Sequence, residues 1–203
     1  MKLLGSCLLA IVAMVAFTPF AGAHFRLLEP QPWLVQNNLG DPQKLGPCGG
    51  TSADSGTPTN AVNNVQGGQM LHIKLQETIF HPGHYRVALA VNSRSELPPD
   101  PPVTTRDTDK GPWSVSSPIA SSPQIPVLAD GLFVHTTRQA TPFEADIQLP
   151  NIHCEKCTLK IVEFMAEHGS NPDGGYFYHH CAVLAITPDP TKPLDRRWPA
   201  PVK

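Results

Sequence analysis

The stretch "YFYHHCAVLAI", from Tyr176 to Ile186, has the alternating pattern of a partly buried β-strand. Successive side chains of a strand point to opposite faces of the sheet. One face therefore carries Tyr176, Tyr178 and His180, and the other carries Phe177, His179 and Cys181. We expect Cys181 to point into the core and to form a disulfide there.

Four more stretches alternate in the same way and predict strands. In "QMLHIKLQ" (69–76), Leu71, Ile73 and Leu75 share one face. The other three are "HYRVALAV" (84–91), "EADIQL" (144–149) and "CTLKIVEFM" (157–165). Short strands separated by turn residues are typical of a β-sandwich. The sequence therefore predicts an all-β, antiparallel sandwich of the immunoglobulin or fibronectin kind, with long loops over 40–68 and 92–129.

The first residues predict an export signal. Lys2 is followed by an apolar run that ends near Phe20, and Ala21-Gly22-Ala23 has the small-residue pattern of a cleavage site. A membrane anchor is the alternative, but Pro19 interrupts the run. We expect a signal peptide over 1–23, a mature domain over 24–190 and an extended tail over 191–203. The mature protein would be secreted or periplasmic and would not contact a membrane.

Charge and cysteine content narrow the function further. The formal net charge is −2, so there is no electrostatic case for binding nucleic acid. Four cysteines remain after cleavage, namely Cys48, Cys154, Cys157 and Cys181. In an exported chain this even number predicts two disulfides, with three pairings open. A redox or zinc role for "HCEKC" is the alternative, but no βαβ pattern and no two further zinc ligands accompany it.

A mature chain that begins at His24 would carry a free α-amine beside an imidazole. The amine has a reference pKa of about 7.7–8.0, so it gives up its proton to a metal at modest cost. Amine and Nδ1 can chelate one ion, and an imidazole from elsewhere completes three nitrogens. His81, before a Pro-Gly turn, is the best candidate, and His84 is its competitor. Nitrogen-rich tetragonal geometry suits Cu(II), so we predict one type 2 copper ion.

These motifs together resemble the lytic polysaccharide monooxygenases. The resemblance rests on the cleavage before His24, on "HPGHYR" (81–86) as an H-x-G-x-aromatic-R turn, and on "FYHHCA" (177–182) near the C-terminus. The segment "CEKCTLKIVEF" (154–164) is also similar to a C-x-x-C-x-L strand of some members. The similarity covers most of the mature chain in order and is nearest to a bacterial group of monooxygenase-like proteins.

The resemblance implies a histidine brace formed by His24 and His81, with Tyr178 at the axial position of the copper. It also implies oxidative cleavage of a polysaccharide with an external electron donor, and we expect a monomer. For the disulfides it implies the pairs Cys48–Cys181 and Cys154–Cys157.

The chain departs from the family pattern at several positions around the last strand. Tyr176 stands where fungal members often have a glutamine, and Val183 stands where many members have an acidic or amide residue. Tyr178, His180 and Glu163 are the candidate catalytic residues. His180 would be a residue behind the metal, a proton donor or an extra ligand. Glu163 is a candidate for the same roles or is a solvent-facing strand residue, and for Glu163 we favour the solvent-facing reading.

Two other function classes stay open. A periplasmic copper-binding or delivery protein could use the same brace without catalysis. A carbohydrate-binding module would need no metal, and Trp33 and Trp113 would then be stacking platforms or ordinary packing residues.

Overall fold

Eleven strands and one single-turn helix form the described part of the chain, which comprises residues 23–102, 104–109, 111–115, 118–169 and 176–200 of a computed structural model. The strands are β1 (His24–Glu29), β2 (Asn63–Gln66), β3 (Met70–Ile79), β4 (Gly83–Ala90), β5 (Thr104–Thr108), β6 (Gly111–Val115), β7 (Val127–His135), β8 (Phe143–Gln148), β9 (Cys154–Met165), β10 (Glu167–Gly169) and β11 (Phe177–Thr187). A 3₁₀ turn spans Arg94–Glu96. No helix in these ranges has the length and apolar character needed to cross a membrane. The predicted signal peptide lies outside the described residues, except for Ala23.

Two sheets face each other and enclose the core. One has the strand order β1-β3-β8, and the other has the order β2-β11-β9-β4-β7. Phe25 and Ile73 from the first sheet pack with Leu89 and Ile161 from the second, and all four are fully buried. The predicted all-β sandwich is therefore confirmed. The narrower immunoglobulin or fibronectin assignment stays a prediction.

The five predicted strands are all present, with bounds shifted by at most a few residues. They correspond to β3, β4, β8, β9 and β11, which all bury alternating or continuous apolar side chains. The antiparallel prediction holds for every described pair of strands except β2 and β11, which are parallel. The segment predicted as a long loop over 92–129 contains the β5–β6 hairpin, which joins β10 in a third small sheet.

The last strand presents the opposite face to the core from the one predicted. Alternation is confirmed, but Tyr178 and His180 point between the sheets, while Cys181 lies on the outer side with Cys48, Ala88 and Leu97. The prediction that Cys181 points into the core is thus wrong. The outer face is apolar here because the chain segments around Cys48 and Leu97 cover it.

Both disulfides implied by the resemblance are present. Cys48 is bonded to Cys181, and Cys154 is bonded to Cys157. The first ties the segment after β1 to the last strand, and the second closes a short loop at the start of β9.

The C-terminal segment, predicted to be an extended tail, contains two turns and packs on the sandwich. The Asn151 side-chain amide donates hydrogen bonds to the carbonyls of Lys192 and Pro193. Trp198 is only 8% exposed and belongs to the main core. Residues 191–198 therefore contribute to the folded domain.

Candidate metal centre

The sandwich interior changes from apolar to polar at one end. The inward face of β3 runs through Leu75 to Glu77, and β9 continues from Ile161 to Glu163. Strand register sets Glu163 between Tyr85 of β4 and Tyr178 of β11. Hydroxyls and carboxyls thus replace aliphatic groups at the end where β1 begins and β3 finishes.

His24 and His81 come to this end from adjacent strands. His24 opens β1 and is paired with Ile79 of β3, two residues before His81. The His24 side chain is 16% exposed, so it lies at the rim of the buried region. The α-amine needed for a brace exists only after cleavage, since Ala23 precedes His24 in the chain. Antiparallel pairing of β1 and β3 therefore places the two histidines that the sequence singled out at the same end of the sandwich.

Tyr178 lies beside His24. The two ring centroids are 4.9 Å apart, and the planes are inclined by 46°. The hydroxyl is buried near the backbone of Ala23, although it does not form a regular hydrogen bond there. Burial, followed by the nearby Glu163 carboxyl, raises the pKa of Tyr178. The phenol is therefore neutral at physiological pH and lies near the backbone that precedes His24.

Glu163 is fully buried, so the favoured reading of it as a solvent-facing strand residue is wrong. Neither carboxyl oxygen has a hydrogen-bond partner. Burial, followed by the charge of Glu77, raises its pKa well above the usual value. The Tyr85 hydroxyl is close enough to oppose this increase in pKa, but its geometry is too poor for a regular hydrogen bond.

Glu77 links the second histidine to a third. Its Oε1 accepts the backbone N–H of His81 at 3.1 Å and lies 3.0 Å from Nε2 of His135. Burial lowers the pKa of His135, but hydrogen bonds, above all the one to Glu77, outweigh it and raise the pKa overall. The buried pair thus holds the backbone at His81, and the His81 ring stacks on His168 with centroids 5.0 Å apart.

His84, the competing ligand candidate, lies on the other face of its strand. Its ring stacks on Phe164 with centroids 5.0 Å apart, and Nε2 is 3.9 Å from an Asp130 carboxylate oxygen. Its neighbour Tyr85 takes the inward position. Because strand neighbours point to opposite faces, β4 turns His84 away from the polar end of the core.

His180 shares the inward face of β11 but lies deeper than Tyr178. Its Nε2–H donates to the carbonyl of Phe25 at 3.0 Å, and its ring meets the edge of the Phe25 ring. Burial lowers its pKa to about 4. The structure thus places His180 as a neutral residue that holds the backbone just after His24.

Two charged residues reach the centre from the segment between β1 and β2. An Asp41 carboxylate oxygen lies 3.4 Å from Nε2 of His24, and the Lys44 ammonium lies 3.8 Å from the centroid of the Tyr178 ring. Burial lowers the pKa of Lys44 to about 8. The segment can approach β1 closely because Gly40 has a φ of 99° and a Cβ there would collide with the Phe25 carbonyl.

The arrangement fits a nitrogen-ligated cation. His24 opens β1, and His81 follows the end of the neighbouring strand β3. One buried oxygen of Glu77, both carboxyl oxygens of Glu163 and the Tyr178 hydroxyl have no hydrogen-bond partner at this end of the core. Among the described residues, no three His, Cys, Asp or Glu side chains converge on a point suited to a metal ion. A brace uses only two such side chains and takes its third nitrogen from the terminus.

Comparison with known proteins adds no relative. No model of a known protein family matches the chain, and a search of curated proteins finds no match. The geometry therefore carries the functional argument by itself.

Sequence reasoning missed Asp41, Lys44, Glu77, His135 and His168. Only Glu77 had a visible signal, because it continues the inward series of β3 with a carboxylate. Trp33 and Trp113 were the candidate stacking platforms. The Arg94 guanidinium lies 3.7 Å from the centroid of the Trp33 ring, and Trp33 packs against the cluster around Cys48. Trp113 lies in β6 and is paired with Gly169 of β10, the residue that follows His168.

Proposed function

We propose that the protein is an exported copper protein whose His24 amine, His24 imidazole and His81 imidazole bind one ion, and that it oxidises a polysaccharide. The observation that carries this proposal is the β1–β3 register. It places His24, the proposed mature N-terminus, opposite Ile79, and Tyr178 packs beside His24. Copper would supply one-electron redox chemistry, with electrons from an external donor.

The chain's own residues would prepare the site in separable ways. Tyr178 fills the space on one side of His24 and would lie beside a bound ion without ionising. Glu77 fixes the backbone at His81, and His180 fixes the carbonyl of Phe25. Glu163, kept protonated by burial, keeps the interior behind Tyr178 free of a second negative charge.

The rim around the site contains a candidate contact for a glycan. His168 stacks on His81, and its strand pairs with β6, which carries Trp113. Trp113 therefore lies in the strand next to His168, and His168 contacts the proposed ligand His81. An aromatic side chain in this position is suited to stacking on a sugar ring. This supports polysaccharide as the substrate class.

A copper carrier without catalysis is the second candidate. Asp41 and Tyr178 lie against the His24 ring, Lys44 lies on the Tyr178 ring, and the Arg94 guanidinium occupies a face of Trp33 that a sugar ring would otherwise use. Side chains that crowd the His24 ring would help to retain a bound ion, which a carrier requires as much as an enzyme does.

Three measurements on protein that begins at His24 separate the candidates. Electron paramagnetic resonance of the Cu(II) form should show a type 2 signal with nitrogen hyperfine structure. Reductant-dependent peroxide formation and oxidised oligosaccharides, detected by mass spectrometry across a set of polysaccharides, would support the enzyme. Tight copper binding without either product would favour the carrier, and absence of copper binding would overturn both.

A further inference from the structure

Lys44 is directed onto the face of Tyr178. Its Nζ lies 3.8 Å from the ring centroid, and the Tyr178 ring is itself 4.9 Å from the His24 ring. Tyr178 is fully buried, so this cation–π contact is shielded from solvent on the ring side. Such contacts are stronger when they are desolvated than at exposed sites. A fixed positive charge is thus placed one ring away from the first proposed ligand.

Backbone contacts on both sides of Lys44 fix its position. The carbonyl of Gln43 accepts the His179 N–H at 2.7 Å, and the N–H groups of Lys44 and Leu45 both donate to the Gly50 carbonyl at 3.0 Å. The Gln43 side chain reaches back to the Phe25 N–H at 3.2 Å. These contacts tie the segment to β11 and β1, the strands that carry Tyr178 and His24.

Carboxyl groups surround the same centre. Asp41 approaches His24, and Glu163 and Glu77 lie in the buried interior. A negatively charged group such as Asp41 favours a higher positive charge on a bound ion, whereas an ammonium nearby favours a lower one. Because Lys44 lies directly on the buried Tyr178 ring, solvent screens its charge only weakly on that side.

We propose that Lys44 is a positioning residue that sets the balance between Cu(I) and Cu(II) at the brace, through its charge and its contact with Tyr178. This inference rests on the proposed copper site. An ammonium beside the centre disfavours Cu(II), which has one more positive charge than Cu(I). Lys44 therefore raises the reduction potential of the bound copper.

The test compares Lys44→Met and Lys44→Arg with the natural protein, all beginning at His24. Lys156→Met is the matched control, because it removes the same charge from an exposed position near the opposite end of β9. Cu(I) and Cu(II) binding constants are measured by competition with chelators at pH 6.5, and circular dichroism verifies the fold. We expect Lys44→Met to lower the ratio of Cu(I) to Cu(II) binding constants about tenfold, equal to about 59 mV in potential. Lys44→Arg and Lys156→Met should leave it near the natural value.

The outcomes separate this inference from the copper site itself. If Lys44→Met folds and binds copper with an unchanged ratio, the role of Lys44 is overturned and the brace stands. If Lys156→Met lowers the ratio equally, the effect is one of net charge, and the role of Lys44 is again overturned. If the natural protein binds no copper, both proposals are overturned.

Discussion

The rings of His24 and Tyr178 lie with centroids 4.9 Å apart, although one residue opens the first strand and the other lies in the last. The contact joins the two sheets at the polar end of the core. It brings the residue that cleavage would make the N-terminus next to a neutral phenol. The proposed copper chemistry depends on this contact and on the strand pairing that brings His81 nearby.

Replacing His81 should damage copper binding far more than replacing His84. His81→Ala removes an imidazole that lies two residues beyond Ile79, the β3 partner of His24, whereas His84 stacks on Phe164 on the outer side of β4. We expect Cu(II) affinity to fall at least about 100-fold in His81→Ala, in line with the loss of about 3 kcal/mol of ligand interaction. Isothermal titration calorimetry of both variants checks this. The reverse order of effects would assign the ligand role to His84.

Glu163→Gln should stabilise the protein increasingly as the pH rises. The pKa of Glu163 is raised in the folded state, so the folded protein keeps a proton that the unfolded chain releases above about pH 4.5. The contribution of Glu163 to the free energy of unfolding is therefore lost as the pH rises. The total loss is about 1.4 kcal/mol for each unit by which folding raises the pKa of Glu163. Urea unfolding at pH 4.5 and 7.5 measures the difference. Glu155→Gln, an exposed change on the same strand, is the control. Equal stability gains at both pH values would contradict the burial argument.

His180→Gln should make the free energy of unfolding depend less on pH in mild acid. The pKa of His180 is lowered to about 4 by burial, so between about pH 6.5 and pH 4 the unfolded chain takes up a proton that the folded protein does not. Stability falls across this window as the pH falls, by up to about 3 kcal/mol. Glutamine does not titrate and retains an N–H donor for the Phe25 carbonyl. His72→Gln, at a partly exposed position, serves as the control. An unchanged pH slope in His180→Gln would contradict this assignment.

The two disulfides should differ in their contribution to stability. Cys48 and Cys181 are 133 residues apart in sequence, whereas Cys154 and Cys157 are three apart. In the chain-entropy model, loops of these sizes are worth about 5 and about 2 kcal/mol respectively. The double variant Cys48→Ala/Cys181→Ala should therefore lower the unfolding free energy more than Cys154→Ala/Cys157→Ala. Chemical denaturation of both variants measures this, and a larger effect of the local pair would contradict the loop-length argument.

Alternation of apolar residues was sufficient to predict five of the eight strands in the two main sheets. It succeeded for β3, β4, β8, β9 and β11 because each buries a regular inward face. It missed β1, β2 and β7 of the same sheets, and it missed β5, β6 and β10, whose small sheet lies outside the main core. It also could not decide which face of β11 points inward, since Cys181 is buried beneath a covering segment that has no strand pattern.

The candidate site was predictable only where its residues belong to motifs or strands. His24, His81 and Tyr178 could be singled out because of a cleavage site, a turn and a strand. Asp41 and Lys44 could not, because their positions depend on the Cys48–Cys181 bond and the contacts of Gln43. Such long-range contacts leave no periodic pattern in the sequence.

The central claim is that the amine of His24 binds copper, and a comparison of two forms of the protein tests it most directly. Cu(II) affinity is measured by chelator competition for protein that begins at His24 and for protein with one glycine added before His24. We expect the Cu(II) affinity to be at least about 100-fold lower in the extended form, because its amine can no longer close a chelate ring with the His24 imidazole. Equal affinity in the two forms would contradict the brace.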